Sequence, residues 1–184
     1  FDAVLMYGNW AQRGPMPPEQ EKALVDFVER GGGFLPIHSA SACYGKSEAF
    51  VKLVGGVFKS HGGTEFSPRT VNSTHEITKG YNGFTAWDET YVHERHGSDR
   101  TILQERDGEP WTWIRTQGRG RVFYTASGHD HRVWDQPNFH DLLKRAVYWA
   151  VGDETRGKLT ALKIPEFEMM DVKLPGYIKR KLVT

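Results

Sequence analysis

The feature that most constrains this chain is a stretch in which an apolar strand, an amphipathic helix and a second apolar strand follow one another with almost no slack. Phe1 to Tyr7 (FDAVLMY) is a near-continuous apolar run of strand length, the pattern of a central strand buried on both faces. EQEKALVDFVER puts Ala23, Leu24, Phe27 and Val28 on one helical face; the prolines before it and Glu19 suit its first turn, Arg30 and Gly31 its end. Phe34 to His38 (FLPIH) follows at once as a second buried strand. Strand, helix, strand is the unit of a parallel sheet, because parallel neighbours need a crossover connection. Gly31, Gly32 and Gly33 follow a helix and precede a strand, so they read as a tight connection, whereas a phosphate-cradling loop follows a strand and opens a helix.

The remaining pattern continues an α/β domain. Ser47 is placed to cap a helix from Glu48 to Val54 that stops at Gly55 and Gly56. From about residue 64 to 126 the signals are strands and turns, with a hairpin of Trp111 to Arg115 and Arg121 to Ala126 around TQGRG. After Pro137, residues Phe139, Leu142, Leu143, Ala146, Val147 and Ala150 recur at helical spacing until Gly152. The domain therefore spans residues 1–152. Residues 153–184, with Gly157, Pro165, Pro175 and Gly176 and weak periodicity, read as an arm or linker leading toward a partner or another domain.

Of 184 residues, 38% are hydrophobic, enough for one sizeable core. With 24 basic and 23 acidic side chains the net charge is +1, so no field invites nucleic acid or an anionic membrane, and Lys179, Arg180 and Lys181 read as a solvated tail. No apolar stretch approaches the length of a membrane helix. The single cysteine, Cys43, excludes an internal disulfide framework and leaves the compartment open, cytoplasmic or exported.

In open α/β sheets ligands bind beyond the carboxyl ends of the strands. That rule selects His38, at the junction HSASACYG, either as a site residue or as a histidine that merely bonds its loop. Cys43 lies five residues past the strand end and reads as a packed side chain. RVFYTASGHD is another strand, delivering Gly128, His129 and Asp130 to a loop with His131 next door; a carboxylate beside a histidine suits acid–base work, and the competing reading is a solvated turn. WDETYVHERH packs Asp88, Glu89, Tyr91, His93, Glu94 and His96 together, and alternation sends Glu89, Tyr91 and His93 to one face. Such density suits a divalent metal, yet no HExxH or comparable spacing occurs, and charged edge strands look the same. Of the other histidines, His61 lies in a loop, His75 suits a turn contact and His140 lies off the helical stripe in solvent.

The segments EQEKALVDFVERGGGFLPIHSAS, LVGGVFKSHGG, HEITKG, WDETYVHE, GRGRVFYTASGHD and FHDLLKRAVYWAVGD together resemble, in that order, the ThuA-like (trehalose-utilisation) family over roughly residues 1–152. The resemblance implies a flavodoxin-like, class I glutamine amidotransferase-like fold, a mostly parallel sheet flanked by helices. It also implies N-terminal strands ahead of Phe1 that are missing here and supplied by another chain or an upstream segment. His38 falls where the amidotransferase nucleophile ends its strand, His129 where their histidine sits, and Asp130 near their acidic partner. Imidazole in place of thiol means that amidotransferase chemistry through a thioester is not expected.

The resemblance further implies a role in carbohydrate metabolism, as a hydrolase, lyase or isomerase on a sugar, keto-sugar or trehalose-type disaccharide. A keto group acidifies the neighbouring C–H, so His129, held by Asp130, would be the base. His38 and Glu89 would stabilise the oxyanion directly or through a divalent metal such as zinc, for which His38, His129 and Glu89 are the candidate ligands. Tyr91, His93, His61 and His131 would contact substrate. Trp10, Trp87 and Trp134 offer aromatic faces to a sugar, with Trp87 assigned to the core. The competing function is a non-catalytic carbohydrate-binding or docking module of a larger bacterial sugar-oxidising assembly. Self-association as a homo-oligomer is compatible with either.

Overall fold

The computed structural model describes residues 1–9, 14–162, 169–172 and 180–183, the last two segments by backbone alone. In chain order the elements are β1 (Ala3–Tyr7), α1 (Pro18–Glu29), β2 (Gly33–Ile37), a 3-10 turn (His38–Ala42), α2 (Glu48–Val54), β3 (Val57–Phe66), β4 (Arg69–Thr70), β5 (Ala86–Glu94), β6 (Thr101–Arg106), β7 (Glu109–Gln117) and β8 (Gly120–Thr125). Then come α3 (His131–Trp134), α4 (Pro137–Ala150), α5 (Gly152–Ala161) and the short strands β9 (Met169–Val172) and β10 (Arg180–Val183), which pair antiparallel. No helix among the described residues is long and apolar enough to cross a membrane.

Six strands form one sheet in the order β1-β2-β8-β7-β6-β4. The pairs β1–β2 and β2–β8 are parallel, and β8–β7, β7–β6 and β6–β4 are antiparallel, so the sheet is mixed. Helices cover both faces, and strand alternation decides which side chain meets which helix. Leu35, Ile37 and Phe123 join Phe139, Leu142 and Ala146 of α4 on one face. Phe34, Val122, Tyr124, Trp111 and Trp113 join Val28 of α1 and Phe50 and Leu53 of α2 on the other. Both buried indoles of β7 keep hydrogen bonds: Trp113 donates to the Val54 carbonyl at 2.8 Å and Trp111 to Ser127 Oγ at 2.7 Å.

Two expectations change. Among the described residues β1 pairs only with β2, and Val4, Leu5 and Tyr7 stay exposed, so within this chain the run is not buried on both faces. Apolar runs identify a strand; its place in the sheet is set by pairing. Residues 152–161, part of the segment read as an arm, form α5, which buries no side chain. Its exposed pairs Asp153–Arg156 and Glu154–Lys158 are the local i,i+3 and i,i+4 support of a solvated helix. Pro165, Pro175, Gly176, Lys179 and Trp10 lie outside the described residues.

Outside the main sheet, β3 and β5 pair antiparallel as a two-stranded ribbon, with Gly63 opposite Glu89 and His61 opposite Tyr91. This ribbon brings a carboxylate to the carboxyl ends of β2 and β8.

Candidate functional site

Three chain segments far apart in sequence meet at one oxygen atom. Glu89 Oε2 lies 3.2 Å from His38 Nε2 and 3.2 Å from His129 Nδ1. The ligand atoms of these three residues all fall within 4.8 Å of one another. His38 comes from the end of β2, His129 from the loop after β8 and Glu89 from β5. His38 is buried, while Glu89 and His129 are partly open.

Local backbone makes the approach possible. His38 has φ +50, in the left-handed region that a side chain adopts at a cost, so its ring leaves the strand end at an angle ordinary extended backbone does not provide. Gly128 has φ +133, and a Cβ there would sit 3.3 Å from His38 Cβ; glycine lets the two loops close on each other. Asp88, buried beside Glu89, accepts from the backbone N–H of Gly128 at 3.0 Å and of His129 at 3.2 Å, which ties the β8 loop to the ribbon. Trp134 donates its indole N–H to the Gly128 carbonyl at 2.9 Å and packs on Tyr7 and Phe139.

The tautomer of His38 follows from its partners. Nδ1 lies 2.7 Å from the Ala126 carbonyl, which can only accept, so the ring proton is on Nδ1. Nε2 then turns a lone pair toward the Glu89 carboxylate. His129 can relieve its own contact by carrying a proton on Nδ1, but neutral His38 cannot. Burial lowers the His38 pKa from 6.5 to about 4, so the ring stays neutral through most of the physiological range. A divalent cation held between these groups would resolve the conflict: two ligands about 2.1 Å from a tetrahedral ion stand roughly 3.4 Å apart, near the 3.2 Å seen here. A histidine whose second nitrogen donates to a backbone carbonyl is also the usual form of a metal-ligating imidazole.

The other expected site residues are distributed differently. His61 is on β3, exposed, with Nδ1 3.6 Å from Glu89 Oε1, at the rim of the cluster. Tyr91 is buried, and its ring stacks on that of His38 with the ring centres 4.4 Å apart, so it packs directly against one member of the cluster. His93, expected to contact substrate, has a side chain that is 0% exposed and lies between Glu109 and Tyr124. Asp130 does not hold His129: it caps α3 and is bidentate with Arg132, and Glu89 is the partner of His129. His131 is exposed, 3.9 Å from Asp130, and is not drawn into the cluster. Trp134 supports the loop rather than presenting a face. Trp87, assigned to the core, is only half-buried, with the Arg132 guanidinium 3.7 Å from its ring centre and His129 5.8 Å away. Cys43 is buried, as expected of a packed side chain, and its thiol donates to the Gly8 carbonyl.

His38 and Asp88, two strongly shifted groups of the site, predict a measurable pH behaviour. Between its folded value of about 4 and the ordinary 6.5, His38 lacks a proton that the unfolded chain holds, so its contribution to stability is lost as pH falls through that window. Asp88 runs the other way: burial pushes it up from 3.8 to about 6, only partly offset by its backbone N–H partners, so its folded form holds the extra proton and gains as pH falls. Between pH 4 and 6 the two slopes nearly cancel. Urea unfolding of metal-free Asp88→Asn should therefore lose stability with falling pH more steeply than the native protein, by up to about 1.4 kcal/mol per pH unit. Parallel curves for the two proteins would contradict this account.

Residues 1–150 match the profile of the ThuA family, described as trehalose utilisation. No curated protein matches the chain. Among solved structures, a ThuA-like protein from Bacteroides uniformis has 22% identity and a TM-score of 0.65, covering 81% of this chain and 69% of its own. One from Parabacteroides merdae has 20% identity and a TM-score of 0.66, covering 82% and 70%. A β-galactosidase from Rahnella sp. R3 has 14% identity and a TM-score of 0.57 over 90% of this chain and 23% of its own. At these identities the likeness is one of fold, flavodoxin-like, with helices on a mixed sheet.

Proposed function

Because the chain belongs to the ThuA family, which sets it in a carbohydrate-related role, we propose that it is an enzyme acting on a keto-sugar or keto-disaccharide of the trehalose type. His38, Glu89 and His129 hold a divalent cation in this reading. The observation that carries it is the lone pair of His38 Nε2 facing a carboxylate oxygen 3.2 Å away, a contact that a cation makes favourable. When bound, such an ion polarises a carbonyl oxygen and lowers the cost of the charge that develops there.

The chain's own groups divide the remaining work. Glu89 supplies the negative charge of the site, and Tyr91, stacked under His38, keeps water from the inner side of that ring. His61, exposed at the rim with Nδ1 3.6 Å from Glu89 Oε1, is the group that would take the proton from the carbon next to the keto group and return it to a neighbouring atom. Returned to the former carbonyl carbon, while a second proton passes between the two oxygens, it isomerises the sugar; given instead to the oxygen that departs β to the new carbanion, it releases the aglycone. Trp87, with Arg132 on one face, borders His129 and offers apolar surface to a sugar ring.

The test is deuterium exchange. Protein stripped of metal, then reloaded with zinc or manganese, is incubated in heavy water with a keto-glucoside or keto-trehalose and followed by NMR. The expected result is deuterium at the carbon beside the keto group, together with isomer or released aglycone, lost on stripping and restored on reloading. Binding of the sugar without exchange, with or without metal, would instead favour a non-catalytic binding module.

A further inference from the structure

A largely buried chain of polar groups that the reaction does not use leads from Glu109 to the His38 carbonyl. Glu109, at the start of β7, accepts from the His93 backbone N–H at 3.0 Å and lies 3.2 Å from His93 Nδ1. His93 Nε2 is 3.0 Å from the Tyr124 hydroxyl. That hydroxyl lies 2.8 Å from Ser41 Oγ and 3.0 Å from the His38 carbonyl, which Ser41 also reaches at 3.2 Å. Tyr124, Ser41 and His93 are all buried. Buried polar groups linked this way stay satisfied only together.

We infer that Tyr124 and Ser41, backed by His93 and Glu109, are positioning residues that hold the His38 backbone in its left-handed conformation and thereby aim Nε2 at Glu89. A non-glycine residue at φ +50 persists only where its surroundings over-determine it. Here the over-determination is visible on both sides of the residue. The Ala126 carbonyl fixes the ring through Nδ1, and two hydroxyls converge on the carbonyl oxygen. Proton counting makes the grip redundant. When His93 donates into the phenol oxygen, Tyr124 gives its proton to the His38 carbonyl; when His93 accepts from Tyr124, Ser41 supplies that proton instead. In either arrangement the carbonyl is bonded, so the double substitution Ser41→Ala/Tyr124→Phe is the informative one.

The inference rests on the reading of His38 as a ligand, and two readouts keep the two ideas separable. Cobalt(II) titration reports the metal site through affinity and visible absorption. The His38 Nδ1–H resonance, assigned by its disappearance in His38→Ala, reports ring placement without any metal. The double variant, shown folded by circular dichroism at the working temperature, should bind cobalt at least about tenfold more weakly than native protein. Its absorption spectrum should move toward that of His38→Ala, and its Nδ1–H resonance should shift or broaden. Ser41→Ala alone, which removes one hydroxyl, should move the same signals less and serves if the double variant does not fold. Native-like affinity and an unmoved resonance in these variants would overturn the positioning role. Native protein that binds no cobalt would sink the metal reading, while the resonance would still decide this one.

Discussion

Replacing Glu89 with glutamine should abolish divalent-ion binding and reduce turnover roughly a hundredfold or more, while leaving the metal-free fold at least as stable as the native one. The first half follows from charge: Glu89 is the one anion among the three converging residues, and loss of transition-state charge stabilisation by a metal is worth several kcal/mol. The second half follows from the proton on His38. Since Nδ1 donates to Ala126, Nε2 has a lone pair that faces a carboxylate oxygen in the metal-free protein. In place of Oε2 the glutamine amide nitrogen has two N–H groups, one for His38 Nε2 and one for His129 Nδ1 once that ring carries its proton on Nε2 instead. A repulsive contact becomes a buried hydrogen bond, a gain of about 0.5–1.5 kcal/mol. Thermal melts in chelator, cobalt titration and turnover measure the three quantities on one sample. A Glu89→Gln protein that keeps its turnover would remove the metal from the mechanism. One that melts well below native protein in chelator would show that the His38–Glu89 contact is already stabilised by a proton.

The second large effect is on the scaffold. Gly120→Ala should cost about 3 kcal/mol or more, a large fraction of the 5–15 kcal/mol typical of a folded domain. A Cβ at Gly120 would lie 2.0 Å from the Val28 carbonyl oxygen and 2.6 Å from that of Gly32. Both are backbone atoms, at the end of α1 and in its connection to β2, so relief requires the helix and the strand to move together. β8 starts at this residue and ends just before the loop that carries His129. Gly157 provides the control, since a Cβ there meets nothing within 4 Å and alanine in an exposed helix interior gains about 0.5–1 kcal/mol over glycine. Urea melts of the two variants should shift in opposite directions. A Gly120→Ala protein within about 1 kcal/mol of native would mean that the α1–β2 connection yields far more readily than close-packed backbone does.

Much of this fold is readable from periodicity and punctuation. α1 and α4 follow from three-and-four spacing, and α2 from its punctuation, since Gly55, at φ +89, ends it because only glycine takes that conformation without strain. The β7–β8 hairpin follows from alternating apolar residues around TQGRG. α5 escapes such reading because it buries no side chain and so has no apolar stripe to detect. The pairing of β1 with β2 alone, among the described residues, escapes it too, since a run of apolar residues carries no information about which neighbours pair with it.

For the site, strand-end position drew attention to His38 and His129, and the density of histidines and carboxylates in WDETYVHERH drew it to Glu89. The division of labour among their neighbours was not. Tyr124 reads as one more apolar strand residue and Ser41 as a small loop residue, yet both meet the His38 carbonyl. Asp130 sits next to His129 in sequence but turns to Arg132, while Glu89, 40 residues upstream, takes its place. The amino-acid sequence by itself determined the local elements, through spacing and glycine, and the chemical types available at the strand ends. Only the tertiary structure decided which groups share a proton or a charge, because hydrogen bonds and ion pairs act over about 3 Å, and distance along the chain says nothing about separation on that scale.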